Sequence, residues 1–218
     1  MTDTSKNMPG YSDTPEEQEF ELRAQIGSMW TGARLAIGMY VFLLASEAFA
    51  YFYLRSSNNG QLWRPGNVTA PTAFGWTIYS LELLTALLVI FGQMRLRKGE
   101  VLDFQVAGWT ALIAVLLALF LQIWEFTALP FNPGSSGYAS TFIGWACINI
   151  MTLLMGAYWI ETVLARSLRM HKESGSKFAE LTMEPSAQMF RANVASMSYF
   201  WGFVALSGFL FFAMFYLL

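Results

Sequence analysis

Three carboxylates, Glu47, Glu82 and Glu125, stand inside long runs that carry no other charge. Ionised and facing lipid, each would cost a few kcal/mol. Each must therefore face protein, water or a lipid headgroup, and two chemistries suit such a group. It can take up and release a proton on a route through the membrane. It can instead serve as a buried hydrogen-bond acceptor that holds helices together. At 1.5 Å per residue, Glu47 lies about 12 Å before the end of its run and Glu82 about 14 Å after the start of the next. The two depths coincide, and the spacing leaves open whether their faces converge on a shared site. Glu125 sits about one turn inside the end of its run. Just beyond it, Pro130, Pro133, Gly134 and Gly137 force a reversal.

Other reactive side chains are scarce. The chain has one cysteine, Cys147, and one histidine, His171. A single cysteine excludes an internal disulfide or thiolate cluster. A single histidine excludes bis-histidine haem ligation and a histidine-built metal centre within this chain. His171 falls in a polar stretch and reads as a solvated loop residue rather than a ligand. The methionines are scattered. A chain this poor in ligands is expected to hold no metal, haem or catalytic site of its own.

The elements that must carry the carboxylates follow from composition. Of 218 residues, 55% are hydrophobic and only 13% charged, where a soluble domain has nearer a quarter charged. Apolar segments cover residues 35–54, 73–93, 106–128, 138–165 and 194–218, each long enough for a bilayer. The fold class is therefore all-α: a polytopic membrane protein with five transmembrane helices, residues 34–218 forming the membrane domain. The connections alternate in charge. Of 13 Lys and Arg residues, only Arg55 and Arg64 fall on one side; the rest lie in the tail, the 94–105 loop and the 166–193 loop. Short basic loops stay inside, so the N-terminus is expected in the cytoplasm and the C-terminus outside. A net charge of -2 gives no reason to expect a nucleic acid partner.

Residues 1–33 read as a cytoplasmic tail rather than a signal peptide, being acidic and without an apolar core. Within them Thr14, Pro15 and Glu17 spell a helix start, with Thr as cap, Pro first and Glu third. Phe20, Leu22, Ile26, Met29 and Trp30 follow as an apolar stripe, which predicts a short amphipathic helix lying on the membrane. Small residues predict close helix contacts: Ala107, Ala111, Ala114 and Ala118 on the third span, Ser140 and Gly144 on the fourth, and Ser198, Gly202 and Ala205 on the fifth. The aromatics of the last span (Phe200, Trp201, Phe203, Phe209, Phe211, Phe212, Phe215, Tyr216) read as lipid-facing and interfacial bulk.

The reversal carries a further pattern. Leu121, Gln122, Glu125, Phe126, Pro130, Phe131, Tyr138, Ser140, Thr141 and Phe142 stand without a gap in the register of a known hairpin. The stretch resembles the central hairpin of subunit III of the haem-copper oxidases, the cytochrome c and quinol oxidases, with Ala139 replacing a glycine. Ser46-Glu47, inside a glycine-led apolar run, is similar to the Ser-Glu pair of the first helix in the family's five-helix members, with one more residue after Gly38. Residues 199–212 resemble the last helix. The departures are systematic. Residues 148–152 read Ile-Asn-Ile-Met-Thr where the family has Phe-His-Gly-Leu-His. Gly202 and Ala205 replace a His and an Asp, and the paired histidines that some members carry on the second helix are missing. The polar network that braces the usual subunit III is thereby reduced to Asn149, Thr152 and the glutamates.

The resemblance implies a divergent, non-catalytic, bacterial-type subunit III in the bacterial inner (plasma) membrane. It implies docking mainly on subunit I, with subunit II as a second partner, bound phospholipid, and room for a larger respiratory supercomplex. Haems and copper would lie in the partner subunits. This chain would support proton uptake and sustained turnover of a complex that reduces oxygen and pumps protons in aerobic respiration. Glu47, Glu82 and Glu125 are then the candidate proton-linked or structural carboxylates, with no catalytic, cofactor or metal residue in the chain. The alternative within the same family is the accessory membrane protein of a nitric oxide reductase. A membrane enzyme of another class would need a His/Asp/Glu cluster, and a transporter would favour internal repeats; the sequence shows neither.

Overall fold

The computed structural model describes residues 14–58, 60–174 and 185–218, and over these the chain is helical without strands. Five long helices follow one another: α1 (Pro15–Ser57), α2 (Thr72–Arg97), α3 (Val101–Ala128), α4 (Gly137–Ser174) and α5 (Pro185–Phe212). Each is long and apolar enough to cross a membrane. The chain is a multi-pass, all-α membrane protein.

The start of α1 is the one its sequence spells. The Glu17 amide donates to the Thr14 hydroxyl oxygen at 3.4 Å, and that hydroxyl donates to the Glu17 carboxylate at 2.8 Å. This satisfies a backbone donor that a helix start leaves free. The helix then runs 43 residues without a break, about 64 Å at 1.5 Å per residue and twice a hydrocarbon core. That corrects the expected surface helix. With no break before the span, residues 15–34 prolong the axis of the span and cannot lie flat in the interface. Their apolar stripe turns partly inward, and Trp30 meets Tyr199 of α5 with ring centroids 6.2 Å apart.

The α2–α3 turn is closed by Gly99 at φ 83, a left-handed conformation that suits glycine. Arg95 secures it, pairing with Glu100 at 2.5 Å and with Asp103 across the turn. The polar 166–193 connection is shorter than its composition suggests. Residues 166–174 contain no Gly or Pro, and α4 continues through them to Ser174. His171 thus belongs to the backbone of α4 rather than to a loop; its side chain, residues 1–13 and the 175–184 segment with Lys177 lie outside the described residues.

Helix contacts close a ring. α1 packs on α5 and α4, α5 on α2, α2 on α3, and α3 on α4, with a lesser α4–α5 contact across the middle. α5 is the most enclosed: 61% of its most apolar window is buried, against 17% for α1. Its aromatics therefore correct the lipid-facing reading. Trp201, Phe212 and Phe215 are at most 1% exposed, Phe200, Phe211 and Tyr216 are buried, and only Phe209 among them is largely exposed. Ala107, Ala111, Ala114 and Ala118 are buried as expected. Ser140 instead faces outward beside the buried Ala139, and a Cβ on Gly202 would meet nothing within 4 Å.

Candidate functional site

The hairpin pattern is built into the core. Gln122 and Glu125 are both 0% exposed, Tyr138 1% and Phe142 0%. Gln122 and Glu125 share a face one turn apart on α3, and the Gln122 amide donates to Glu125 Oε2 at 2.6 Å. Asn149 of α4 reaches the same place. Its Nδ2 donates to Gln122 Oε1 at 3.1 Å and to Glu82 Oε1 of α2 at 2.7 Å. From the other end, the Tyr216 hydroxyl donates to Glu125 Oε1 at 2.8 Å and Oε2 at 3.0 Å. One hydrogen-bonded chain, Glu82–Asn149–Gln122–Glu125–Tyr216, thus ties three helices to the turn after α5. Tyr40 of α1 stands beside Thr152 and Ser207, within electrostatic reach of Glu82.

Donors and acceptors alternate along this chain without conflict. A carboxamide offers two N–H donors and one acceptor oxygen, and Asn149 and Gln122 use them in the order the glutamates need. Amides hold such bonds but do not readily pass a proton on as a hydroxyl or water does. The arrangement suits bracing: polar groups in a lipid setting are satisfied inside the bundle and fix which helix faces meet.

Around this chain the backbone gives way to side chains. Glu82 Oε2 would stand 2.7 Å from a Cβ on Gly208, and the Tyr216 ring 2.6 Å from one on Gly75. Leu164 fills the notch at Gly108 at 2.6 Å and Trp201 that at Gly156 at 2.5 Å. These four glycines are close-contact positions, as is Gly137, whose Cβ would stand 2.9 Å from Trp63; Gly202 is not one.

Beyond α5 the chain makes one π-helical turn, Ala213–Leu217. A helix end leaves carbonyls without amide partners, and in an apolar setting they need other donors. Two tyrosines supply them. Tyr51 of α1 donates to the Met214 carbonyl at 2.8 Å, and Tyr138 of α4 donates to that of Phe215 at 2.6 Å. The Tyr138 hydroxyl also accepts from the Ala70 amide at 3.1 Å, which fastens the 58–71 connection. Trp63 of that connection wedges between Tyr51 and Tyr138, with centroids 5.0 and 6.0 Å apart.

Glu47 stands apart from the chain. Its carboxylate lies over Gly144 of α4, Oε2 being 3.0 Å from where a Cβ would sit. Its Oε1 is buried and has no hydrogen-bond partner. The matching depths of Glu47 and Glu82 do not produce a shared site. Glu82 joins Glu125 instead, through two amides from other helices.

No family model matches this chain, and no curated protein does. Among the described residues, no three His, Cys, Asp or Glu side chains gather as a metal site would need.

Asn149 and Glu125 were visible in the sequence as polar residues in apolar runs. Tyr216 was not, because one tyrosine among dense aromatics carries no sign of a partner 91 residues away. The glycines facing Glu82 and Tyr216 were equally silent, since a close approach depends on the opposing helix.

Proposed function

We propose that this chain is a non-catalytic subunit III of a respiratory haem-copper terminal oxidase in a bacterial inner membrane. Its N-terminus would be cytoplasmic and its C-terminus outside. The observation that carries the reading is the hairpin pattern of residues 121–142. Its most polar members, Gln122, Glu125 and Tyr138, are buried and hydrogen-bonded. A pattern preserved by packing suits a subunit that holds its shape beside a catalytic partner. In this reading the chain docks on subunit I, retains phospholipid and sustains proton uptake, while haems and copper reside in subunits I and II. The exposed apolar face of α1, with Met39, Phe42 and Phe49 each at least 70% exposed, is the surface for that docking.

Glu47 then has a role that the buried chain does not share. It is the carboxylate on the least enclosed helix, and one of its oxygens lacks a partner. In this reading Glu47 would exchange a proton near an adjoining subunit.

The test is isolation of the tagged full-length chain from its native membranes in mild detergent. A co-purifying complex with haem absorbance that consumes oxygen from cytochrome c or quinol is expected. A chain that purifies alone overturns the reading, and one that arrives with a haem protein reducing nitric oxide replaces it with the alternative.

A further inference from the structure

Arg55 lies in the last turn of α1 and Arg64 in the 58–71 connection, so both stand at one end of the bundle. No other Lys or Arg occurs in residues 55–72, 129–137 or 213–218, and none of these stretches contains Asp or Glu. The positive charge of this end is uncompensated.

The two guanidiniums converge on the π-helical turn that the tyrosines clamp. Arg55 Nη1 donates to the Tyr51 hydroxyl at 3.2 Å, with Cζ 5.8 Å from that ring's centroid. Arg64 Nη2 donates to the Leu218 carbonyl at 3.0 Å, with Cζ 5.0 Å from the Tyr138 centroid. Trp63, next to Arg64 in the chain, is wedged between the two tyrosines and holds the connection in place. Neither cation meets a side-chain carboxylate among the described residues. A guanidinium carries five N–H donors, so these bonds leave room on each for a two-oxygen acceptor.

Placement decides what can reach them. Tyr51 and Tyr138 are 0% and 1% exposed, so the rings beneath the cations belong to the core and not to the rim. Cations stacked on core rings at the end of a bundle look out into water rather than sideways into lipid. A neighbour that covers them comes from the aqueous side.

We propose that Arg55 and Arg64 dock an Asp- or Glu-bearing segment from the water-exposed part of a partner protein. Planar guanidiniums suit carboxylates, and no acid at this end repels one. The inference rests on the helix arrangement alone and goes beyond the oxidase reading, so either can fail without the other.

A fluorescent hexaglutamate peptide tests it, titrated against right-side-out and then inside-out membrane vesicles that contain the full-length chain. Each preparation shows the probe one end of the chain, so the outcome does not depend on orientation. An exposed ion pair contributes about fivefold at most. On one face, R55Q and R64Q should each weaken binding about threefold to fivefold and R55Q/R64Q about tenfold. On that face R55K/R64K should restore most of it, and R97Q/K98Q should change nothing. Helix content and unfolding midpoint of each purified variant identify any that misfolds; R55Q, at an exposed position, then carries the comparison. Binding unaltered on both faces in R55Q would overturn the site. So would equal binding of hexaglutamine, an equal loss in R97Q/K98Q on the same face, or displacement by an equal concentration of inorganic phosphate or short-chain phosphatidylglycerol.

Discussion

The Glu82 carboxylate rests on the bare backbone of Gly208, whose missing Cβ would stand 2.7 Å from Oε2. The same carboxylate takes its hydrogen bond from Asn149, so the glycine and the bond belong together. Gly208→Ala should push the carboxylate aside and strain the Asn149 contact, lowering stability by about 1–3 kcal/mol, as overpacking does. The unfolding midpoint in detergent reads this. Glu82→Ala added to Gly208→Ala should recover part of the loss, because the methyl then fills vacated space. A double variant no better than the single one would mean that the close approach does not explain the glycine.

Asn149 is the node of the buried chain, giving both amide hydrogens to other helices. Asn149→Leu leaves Glu82 and Gln122 without those donors. Orphaned buried groups cost about 1–3 kcal/mol each, while single polar contacts in membranes average about 0.6 kcal/mol. A loss of about 1–3 kcal/mol in all is expected. Glu82→Leu combined with Asn149→Leu should cost less than the two separately, since the second change removes a group the first had stranded. Strict additivity would show that the chain does not act as a unit.

The spans were legible because a run of some twenty apolar residues has few other uses, and the Thr14 cap because its side-chain chemistry is local. The alanine face of α3 was legible for the same reason: Ala111 and Ala118 stand among larger residues at contact spacing. Burial of α5 was not. Lipid and protein core are equally apolar, so Trp201 in the centre and Phe209 at the rim look alike to a hydropathy argument. The continuity of α1 was hidden too. The stripe from Phe20 to Trp30 announces a helix and an apolar face, but not the direction in which the helix points. Of the candidate site, the sequence showed Glu82 and Glu125 as groups needing partners. Their connection through Asn149 and Gln122 depends on helix rotation, which no spacing within one span reveals.

Tyr138 holds three segments through one hydroxyl, donating to the Phe215 carbonyl and accepting from the Ala70 amide. Tyr51 makes only the donation to Met214 among these backbone bonds. Tyr138→Phe strands a carbonyl and a buried amide, whereas Tyr51→Phe strands one carbonyl and releases a bond at 3.2 Å from the exposed Arg55, whose guanidinium water can satisfy. Both should lower the midpoint, Tyr138→Phe more, with about 1 kcal/mol for each bond lost. Equal effects would indicate that the Ala70 amide finds another partner.

Topology follows from the charge asymmetry and the alternating helices. Reporter fusions after Gly60, Gly99, Gly134, Gly175 and Leu218 should read outside, inside, outside, inside and outside. Arg55 and Arg64 are the only basic residues assigned to the outer side, so the pattern has little to compete with. A single inverted loop would undo the five-span arrangement, because the helices flanking it would not both cross; reversal of all five readings would refute the orientation and leave the spans intact.

Glu47 separates structure from function most cleanly. Its Oε1 is buried without a partner and its Oε2 lies against Gly144, so the carboxyl adds no hydrogen bond to the bundle. If it served packing alone, Glu47→Leu would be neutral or stabilising, because removing an unpaired polar group relieves a desolvation cost of about 1–3 kcal/mol. Glu47→Gln keeps the size and a polar head but cannot release a proton. In the proposed oxidase both variants should assemble as the parent does, and both should lose turnover or inactivate sooner, since both lack the same proton. Oxygen consumption followed to exhaustion, from mildly acidic to mildly alkaline pH, decides between the roles. Parent-like rate and lifetime in both variants would leave Glu47 as a packing residue. Loss in Glu47→Leu alone would point to shape at the α1–α4 contact rather than to the proton.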